Sequence, residues 1–484
     1  MQFVVKYYPE ITIKSRPVRK QFIRQLRDNI RRLLREYDPD VRVVREWDKI
    51  TIETDVTDEA VLKEMVAVLQ RTPGIAWFMD VYECLLESVH QVFEQTLALK
   101  KDELAGKRFA VRCHRVGEHD FRSVDVERYV GGGLNQHSEA AGVDLKDPQE
   151  VVRIEIRGER VYIVNRRYEG IGGYPLGAID PVLSLISGGF DSTVASYLTM
   201  KRGMRTHFVF FNLGGRDHEV GVKEVALYLW QRYAASNRVK FVTVPFEPVV
   251  AEILKQVPNA LMGVVLKRMM LRAAEQVATE LNVESLVTGE SVAQVSSQTL
   301  TNLNVIDEVA NMLVLRPLIV SDKPDIIEIA REIGTEDFAA NMPEYCGVIS
   351  VRPSTKAKRD RVHAAEESFS FEVLEQAIAN ARYETIDQMV APETAADELE
   401  ILPVPLAGSV VIDLRHPDDV ERNPLKLDSV DVLALPFFEL HQRFADLDRN
   451  TEYMLYCDQG VMSRLHASHL VSEGYTNVRV FRPS

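Results

Sequence analysis

No apolar run in this 484-residue sequence approaches the length needed to cross a membrane. The start, Met1-Gln2-Phe3-Val4-Val5-Lys6-Tyr7-Tyr8, reads as a strand and lacks the charged opening and apolar stretch of a secretory signal. A cytoplasmic protein with no membrane partner is the expectation. Cysteine is scarce: Cys84, Cys113, Cys346 and Cys457 make up the full set, without the close Cys/His spacing of a zinc site. This excludes a disulfide scaffold, and a cysteine that matters here is expected to be reactive rather than structural.

Positive charge is also short overall, with a formal net charge of −14, yet the distribution is uneven. Residues 14–45 carry 11 lysines and arginines against 4 acids, whereas residues 366–400 carry 1 against 10. From Val18 to Tyr37 the apolar residues Phe22, Leu26, Ile30, Leu33 and Tyr37 recur at helical spacing. Arg24, Arg27, Arg31 and Arg35 line the opposite side, either as a solvated face or as a track for a nucleic-acid backbone. Strands at Val41–Val44 and Ile50–Thr54 close a small α+β unit.

The chain is organised around a buried strand, Val182–Ile186, that breaks into Ser187-Gly188-Gly189-Phe190-Asp191-Ser192 and then starts a helix. The two glycines admit a ligand close to the backbone, and the helix start and the hydroxyls of Ser187, Ser192 and Thr193 favour an anion. A phosphate fits. The loop lacks lysine, so Gly-x-x-x-x-Gly-Lys-Ser/Thr is not matched, which argues against cleavage at a γ-phosphate. Ser-Gly-Gly-x-Asp-Ser instead resembles the pyrophosphatase-type (PP) loop of enzymes that cleave ATP between the α- and β-phosphates and pass AMP to a substrate oxygen. The resemblance implies Mg²⁺ held on the pyrophosphate by Asp191.

Around this loop strands at Leu183–Ser187, His207–Asn212, Val239–Val244 and Ser285–Gly289 alternate with helices near 192–202, 219–235 and 262–281. That order predicts a doubly wound parallel sheet whose strand-end loops share one crevice. Gly289-Glu290-Ser291, Gln294 and Ser296-Ser297-Gln298-Thr299 fall at such an end. Lys267 reads by itself as surface charge, with a phosphate partner as the alternative. Asp322-Lys323-Pro324 marks a turn into a helix at 325–333 and has no chemistry legible in the sequence.

Between 58 and 168, helices near 58–70, 88–104 and 122–140 alternate with strands, and Arg157-Gly158-Glu159-Arg160 forms a hairpin. This unit resembles a THUMP domain, an RNA-binding module of tRNA-modifying enzymes. Arg112, Arg115, Arg122, Arg166 and Arg167 are the candidate phosphate contacts, with a purely structural role as the equal alternative, and Gly131-Gly132-Gly133 is expected to kink its helix, with close approach of RNA or another helix as the alternative. Cys346 lies in the loop Met342-Pro343-Glu344-Tyr345-Cys346-Gly347, beside a basic stretch that favours thiolate. An acidic stretch then reads as a linker, and the last 80 residues as another small α/β unit. There Tyr453–Cys457 is a strand ending in a cysteine, and Asp458–Arg464 is a glycine loop entering a helix. Successive backbone N–H groups in such a loop lower a thiol's pKa and stabilise a persulfide. With Asp413-Leu414-Arg415 this resembles a rhodanese domain, with Cys457 as carrier. Met462 stands where many rhodaneses have a basic residue, which favours a protein sulfur donor over thiosulfate.

Together these parts resemble the tRNA 4-thiouridine synthetases, tRNA sulfurtransferases also used in thiamine thiazole synthesis. The implied architecture is α/β multidomain: a ferredoxin-like basic unit at 1–57, THUMP at 58–168, a PP-loop adenylation domain at 169–384, a linker at 385–404 and a rhodanese-like domain at 405–484. The implied site binds ATP over Leu185, Ile186, Ser187, Gly188, Gly189, Ser192, Lys267, Gly289 and Gln298. It adenylates the O4 of the uridine at tRNA position 8, and Cys457, loaded by a cysteine desulfurase, supplies sulfur. Cys346 then resolves Cys457 as a disulfide that a reductant must reset, and the thiamine-pathway sulfur carrier protein is a further implied acceptor. Two rival classes remain open: a ligase adenylating a small acid, and an RNA-binding sulfur relay without adenylation.

Overall fold

The strands β1 (Gln2–Tyr7), β2 (Arg42–Arg45), β3 (Lys49–Glu53), β4 (Ile75–Leu85), β5 (Arg108–Val116), β6 (Gly142–Val143), β7 (Glu150–Arg157) and β8 (Arg160–Glu169) form one sheet in the order 2-3-1-4-8-7-5-6. β4 pairs antiparallel with both β1 and β8, so the sheet crosses the expected boundary at 57/58 without a break. In this computed structural model the described residues are 1–213, 215–342, 350, 352–389, 400–427, 430–458 and 460–483. They fall into two units, Met1–Pro175 and Leu176–Ser484.

In the first unit helix α1 (Arg16–Leu34) buries Phe22, Leu26 and Ile30 of the stripe that the spacing predicts, but Leu34 rather than Leu33 continues it, and Tyr37 lies beyond the helix end. Arg24 and Arg31 lie on its exposed side. Helices α2 (Val89–Lys100) and α3 (Ser123–His137) pack on the other half of the sheet. The expected kink at Gly131-Gly132-Gly133 is absent, because α3 runs unbroken through it. A Cβ at Gly133 would meet the Phe93 ring at 2.4 Å, so the glycine is there to let α2 approach.

The second unit opens with β9 (Ile179–Leu185), β10 (Met204–Asn212), β11 (Lys240–Pro245), β12 (Ser285–Val287), β13 (Leu313–Leu315) and β14 (Arg382–Thr385), in the sheet order 13-12-9-10-11-14. All neighbours are parallel except β14, an antiparallel edge strand. Strand order reverses beside β9, the switch point at which doubly wound sheets bind ligands. Helices α4 (Phe190–Lys201), α5 (Gly215–Leu229), α6 (Met262–Glu280), α7 (Lys323–Glu332) and α8 (Glu336–Asn341) accompany this sheet. Its strands bury Leu183, Val209, Val242 and Leu286 completely, as apolar runs covered on both faces should.

The chain ends in a five-stranded parallel sheet, β15 (Ile401–Leu402), β16 (Val410–Asp413), β17 (Asp431–Ala434), β18 (Tyr453–Tyr456) and β19 (Val478–Phe481), in the order 15-19-18-16-17. Helices α9 (Phe437–Phe444) and α10 (Val461–Ser472) pack on it.

Candidate nucleotide and sulfur sites

Ile186 N–H still donates to Val209 O at 3.0 Å, after which the backbone leaves the sheet and Gly188 takes a φ of +83°. The hydroxyl of Ser192 pins the loop: it accepts from Ser187 N–H at 3.1 Å, lies 3.0 Å from Ser187 Oγ and donates to Gly189 O at 3.3 Å. Gly189 caps α4, whose first-turn amides therefore face the strand end. Gly289 closes the other wall. A Cβ there would sit 2.5 Å from the Asp191 carbonyl carbon and 2.6 Å from Ser192 N, so no larger residue fits unless α4 moves.

Asp191 is held from two further loops. Its carboxylate accepts from Gln294 Nε2 at 2.7 Å and pairs with Lys323 Nζ at 2.7 Å. The sequence reading left Lys323 without a role, since its pairing partner lies 132 residues earlier in the chain. Lys267 is also not the surface lysine that its type suggests. Its Nζ is 2.7 Å from Glu290, which Arg316 contacts at 2.7 Å, and Arg316 donates to Asp307 at 3.0 Å. Burial alone would raise the Glu290 carboxyl, but Lys267 and Arg316 outweigh it and hold the group below the usual range. Two polar atoms near the loop are left over. Gln298 is 8% exposed and Thr193 1%, and neither Gln298 Oε1 nor Thr193 Oγ1 has a hydrogen-bond partner among the described residues. Such orphans carry a desolvation cost that a ligand can relieve.

Cys457 follows directly on β18, and Gly460, with a φ of +70°, turns the chain into α10. Ser463 N–H donates to Cys457 Sγ at 3.3 Å, and the Ser463 hydroxyl lies at 3.4 Å. The expectation of a lowered thiol pKa is not met. Burial pushes the Cys457 thiol up, and the donors from Ser463 and Gly460 offset only part of that. Arg415 bridges Asp413 at 2.7 Å and Asp458 at 3.2 Å, which fixes the loop beside the cysteine. Cys346 lies outside the described residues. Met342, the last described residue before that segment, touches the nucleotide loop, since a Cβ at Gly188 would be 2.6 Å from its Cε.

The candidate RNA contacts divide. Arg112 donates to Leu145 O at 2.7 Å, and Arg115 to Gly117 O at 2.8 Å, so both guanidinium groups brace their own fold. Arg27 pairs with Asp28 at 2.6 Å. Arg24 and Arg31 remain exposed on α1. Stacking of Arg19 on Trp47, 4.0 Å to the ring centroid, and of Arg167 on Trp77, 4.3 Å, was not legible from spacing.

A Ser-Gly-Gly loop at the switch point of a parallel sheet, with a cysteine loop on a second α/β sheet, defines a PP-loop protein that carries a rhodanese-like domain. Residues 177–371 match the family described as Thiamine biosynthesis protein (ThiI), 2–79 its ferredoxin-like domain, 87–165 the THUMP domain and 395–483 the rhodanese-like domain. A tRNA sulfurtransferase from Azotobacter vinelandii is 55% identical over 484 residues, covering 100% of both chains. One from Pseudomonas aeruginosa is 56% identical with the same coverage. The chain belongs to the tRNA sulfurtransferase family. Among solved structures, a 4-thiouridine synthetase in complex with RNA and bound ATP is 27% identical, with a TM-score of 0.70, covering 79% of this chain and 99% of that one. A protein from Pyrococcus horikoshii, 20% identical with a TM-score of 0.53 over 69% of this chain and 100% of that one, shares the fold.

Proposed function

We propose that this chain binds ATP at the Ser187–Ser192 loop, adenylates a tRNA uridine at O4, and replaces that oxygen with sulfur carried as a persulfide on Cys457. The observation that carries the reading is the pair of orphaned buried atoms, Gln298 Oε1 and Thr193 Oγ1, beside a loop whose amides and hydroxyls suit phosphate. The 4-thiouridine synthetase with bound ATP and RNA, which covers 79% of this chain, supports the same ligands.

In the first step the uridine O4 attacks the α-phosphorus and pyrophosphate leaves, which turns a poor leaving oxygen into AMP. The amides of α4 and the ammonium groups of Lys267 and Lys323 stabilise the charge that gathers on the departing pyrophosphate. Among the described residues no group of three or more His, Cys, Asp or Glu is placed to hold a metal. The Asp191 carboxylate, whose two oxygens meet Gln294 and Lys323 here, would be the protein ligand of a Mg²⁺ that takes its other ligands from phosphate and water. When bound, that ion would neutralise pyrophosphate charge. In the second step the terminal persulfide sulfur attacks C4 and AMP leaves, joining base and Cys457 through a disulfide. The Cys346 thiolate then attacks Cys457 Sγ, which frees the thiolated base and leaves a Cys346–Cys457 disulfide that takes two electrons from an external dithiol.

A cysteine desulfurase is the donor that this scheme requires, and the thiamine-pathway sulfur carrier protein is a second acceptor in keeping with the family description. The test is release of AMP and pyrophosphate by the purified protein with and without unmodified tRNA. Dependence on tRNA, lost in Asp191→Ala, is the expected result. Release without tRNA would point to small-acid ligation, and tRNA thiolation undiminished in Asp191→Ala would point to a relay without adenylation.

A further inference from the structure

The rhodanese-like domain lies against the nucleotide-binding domain along α5, and the direction of packing decides what this contact does. Leu465 and His469 of α10 line one cavity with Gly215, Arg216, Glu219 and Lys223 of the first part of α5. Between them in α10, His466 Nε2 is 3.1 Å from Glu224 Oε1 of α5. Phe437 of α9 and Asp419 then meet Tyr228 and Arg232, the latter pair at 3.4 Å, at the end of α5 and just beyond it.

α5 begins three residues after β10 ends, on the same sheet edge as the phosphate loop. Its other end lies roughly 20 Å away at the ordinary helical rise. Phe437, which meets Tyr228 there, donates its N–H to Leu414 O, and Leu414 N–H donates to the O of Tyr456, the neighbour of Cys457, so Cys457 sits toward that far end. A second helix gives the same answer. α7 starts at Lys323, 2.7 Å from Asp191, and past its last turn a Cβ at Gly334 would lie 3.5 Å from His416 Nε2, roughly 16 Å farther along. His416 follows Arg415, which bridges to Asp458 next to Cys457.

We infer that this seam is a releasable latch that parks the Cys457 loop at the edge of the sheet opposite the phosphate loop, and that it opens in every round of sulfur transfer. The inference rests on the reading of Cys457 as the sulfur carrier. In the parked state the thiol lies away from the activated base, to which it must bond, and is only 7% exposed. The seam is mixed: Phe437 packs with Tyr228 and Phe338 in an aromatic cluster at one end, while the rest has the polar, imperfect packing of a contact that separates. At its centre a carboxylate, Glu224, is buried against histidine rather than a permanent cation, and burial pushes that carboxyl well above its usual range. Beside it a cavity of about 420 Å³ persists, lined by Thr243, whose hydroxyl has no partner among the described residues. A permanent core would have closed over that space.

Glu224→Lys and, at the rim, Asp419→Arg place cations against His466 and Arg232 and should open the latch in the full chain. Alkylation of Cys457 by iodoacetamide, read by peptide mass spectrometry, is expected to rise about tenfold, as when a state closed nine-tenths of the time opens. Thiolation of tRNA should be retained or increased. Unchanged alkylation in both variants overturns the latch. So does loss of thiolation while persulfide loading and tRNA-dependent AMP release stay intact, since the docked pose would then be the delivering one. Absence of persulfide on Cys457 of the unaltered protein would instead remove the carrier reading itself.

Discussion

Gly289→Ala asks the most of the smallest change. The added methyl would lie 2.5 Å from the Asp191 carbonyl carbon and 2.6 Å from both Asp191 O and Ser192 N, where ordinary contact begins near 3.4 Å. All three atoms are backbone, so the loop after β12 and the start of α4 must part by roughly 1 Å. Overpacking of this kind costs about 1–3 kcal/mol of stability. The larger effect is on chemistry: displacing α4 moves the amides and Asp191 away from the α-phosphate, and a misplacement of about 1 Å can cost ~100-fold. The assay is tRNA-dependent AMP release at saturating ATP, with persulfide loading of Cys457 as the internal control. AMP release is expected to fall about 100-fold with loading unchanged. Gly263→Ala, on α6 with nothing within 4 Å of its Cβ, should leave both unaffected. Unimpaired AMP release in Gly289→Ala would refute the argument that the loop and α4 form one rigid phosphate cradle.

Other perturbations separate roles in the same way. Glu290→Gln leaves Lys267 and Arg316 without their shared anion, which should cost about 3–5 kcal/mol; ATP should then raise the melting temperature more in the variant than in the wild type, because phosphate replaces the lost charge. An equal ATP-induced rise would count against Lys267 as a phosphate partner. His207 accepts from Lys240 N–H at 2.9 Å and is held neutral, its pKa lowered from 6.5 to about 4 by burial and then by Arg205 and Lys240. Its stabilising contribution is therefore full above pH 6.5 and is lost as pH falls toward 4, on the order of 3 kcal/mol in all. Melting curves of His207→Gln should accordingly fall less steeply over that window than those of the wild type, and parallel slopes would contradict the assignment. Arg24→Ala and Arg31→Ala should each weaken tRNA binding and reduce its salt slope by about 1, whereas Arg112→Ala, whose guanidinium serves Leu145 O, should lower stability and leave the slope alone. Equal slopes for all three would deny α1 the RNA.

Elements with a strong local signal were readable in advance. β9, β10 and β11 are apolar runs covered on both faces, and α1 has one clear apolar stripe. β13 has three residues, and β14 is a polar edge whose partner β11 lies about 140 residues earlier, so neither offers a pattern to find. In the nucleotide site the glycines and the Ser192 hydroxyl act through neighbours in sequence, and their roles could be anticipated. Lys323 with Asp191, and Arg316 with Glu290 and Lys267, depend on which strand ends the sheet brings together, and residue type alone left Lys267 on the surface. Cys457 shows the same division: its loop donors follow from the glycine and the helix start, but tertiary burial raises the thiol against them.

The most direct measurement is a single turnover with isotopically marked sulfur. The protein is loaded with ³⁴S-persulfide on Cys457, freed of donor and mixed with unmodified tRNA, ATP and Mg²⁺, and the digested nucleosides are weighed by mass spectrometry. The expected product is 4-thiouridine carrying ³⁴S, in no more than one equivalent per Cys457 and absent when ATP is omitted. Thiouridine without the label, or labelled thiouridine formed without ATP, would contradict a base activated by AMP and thiolated from Cys457.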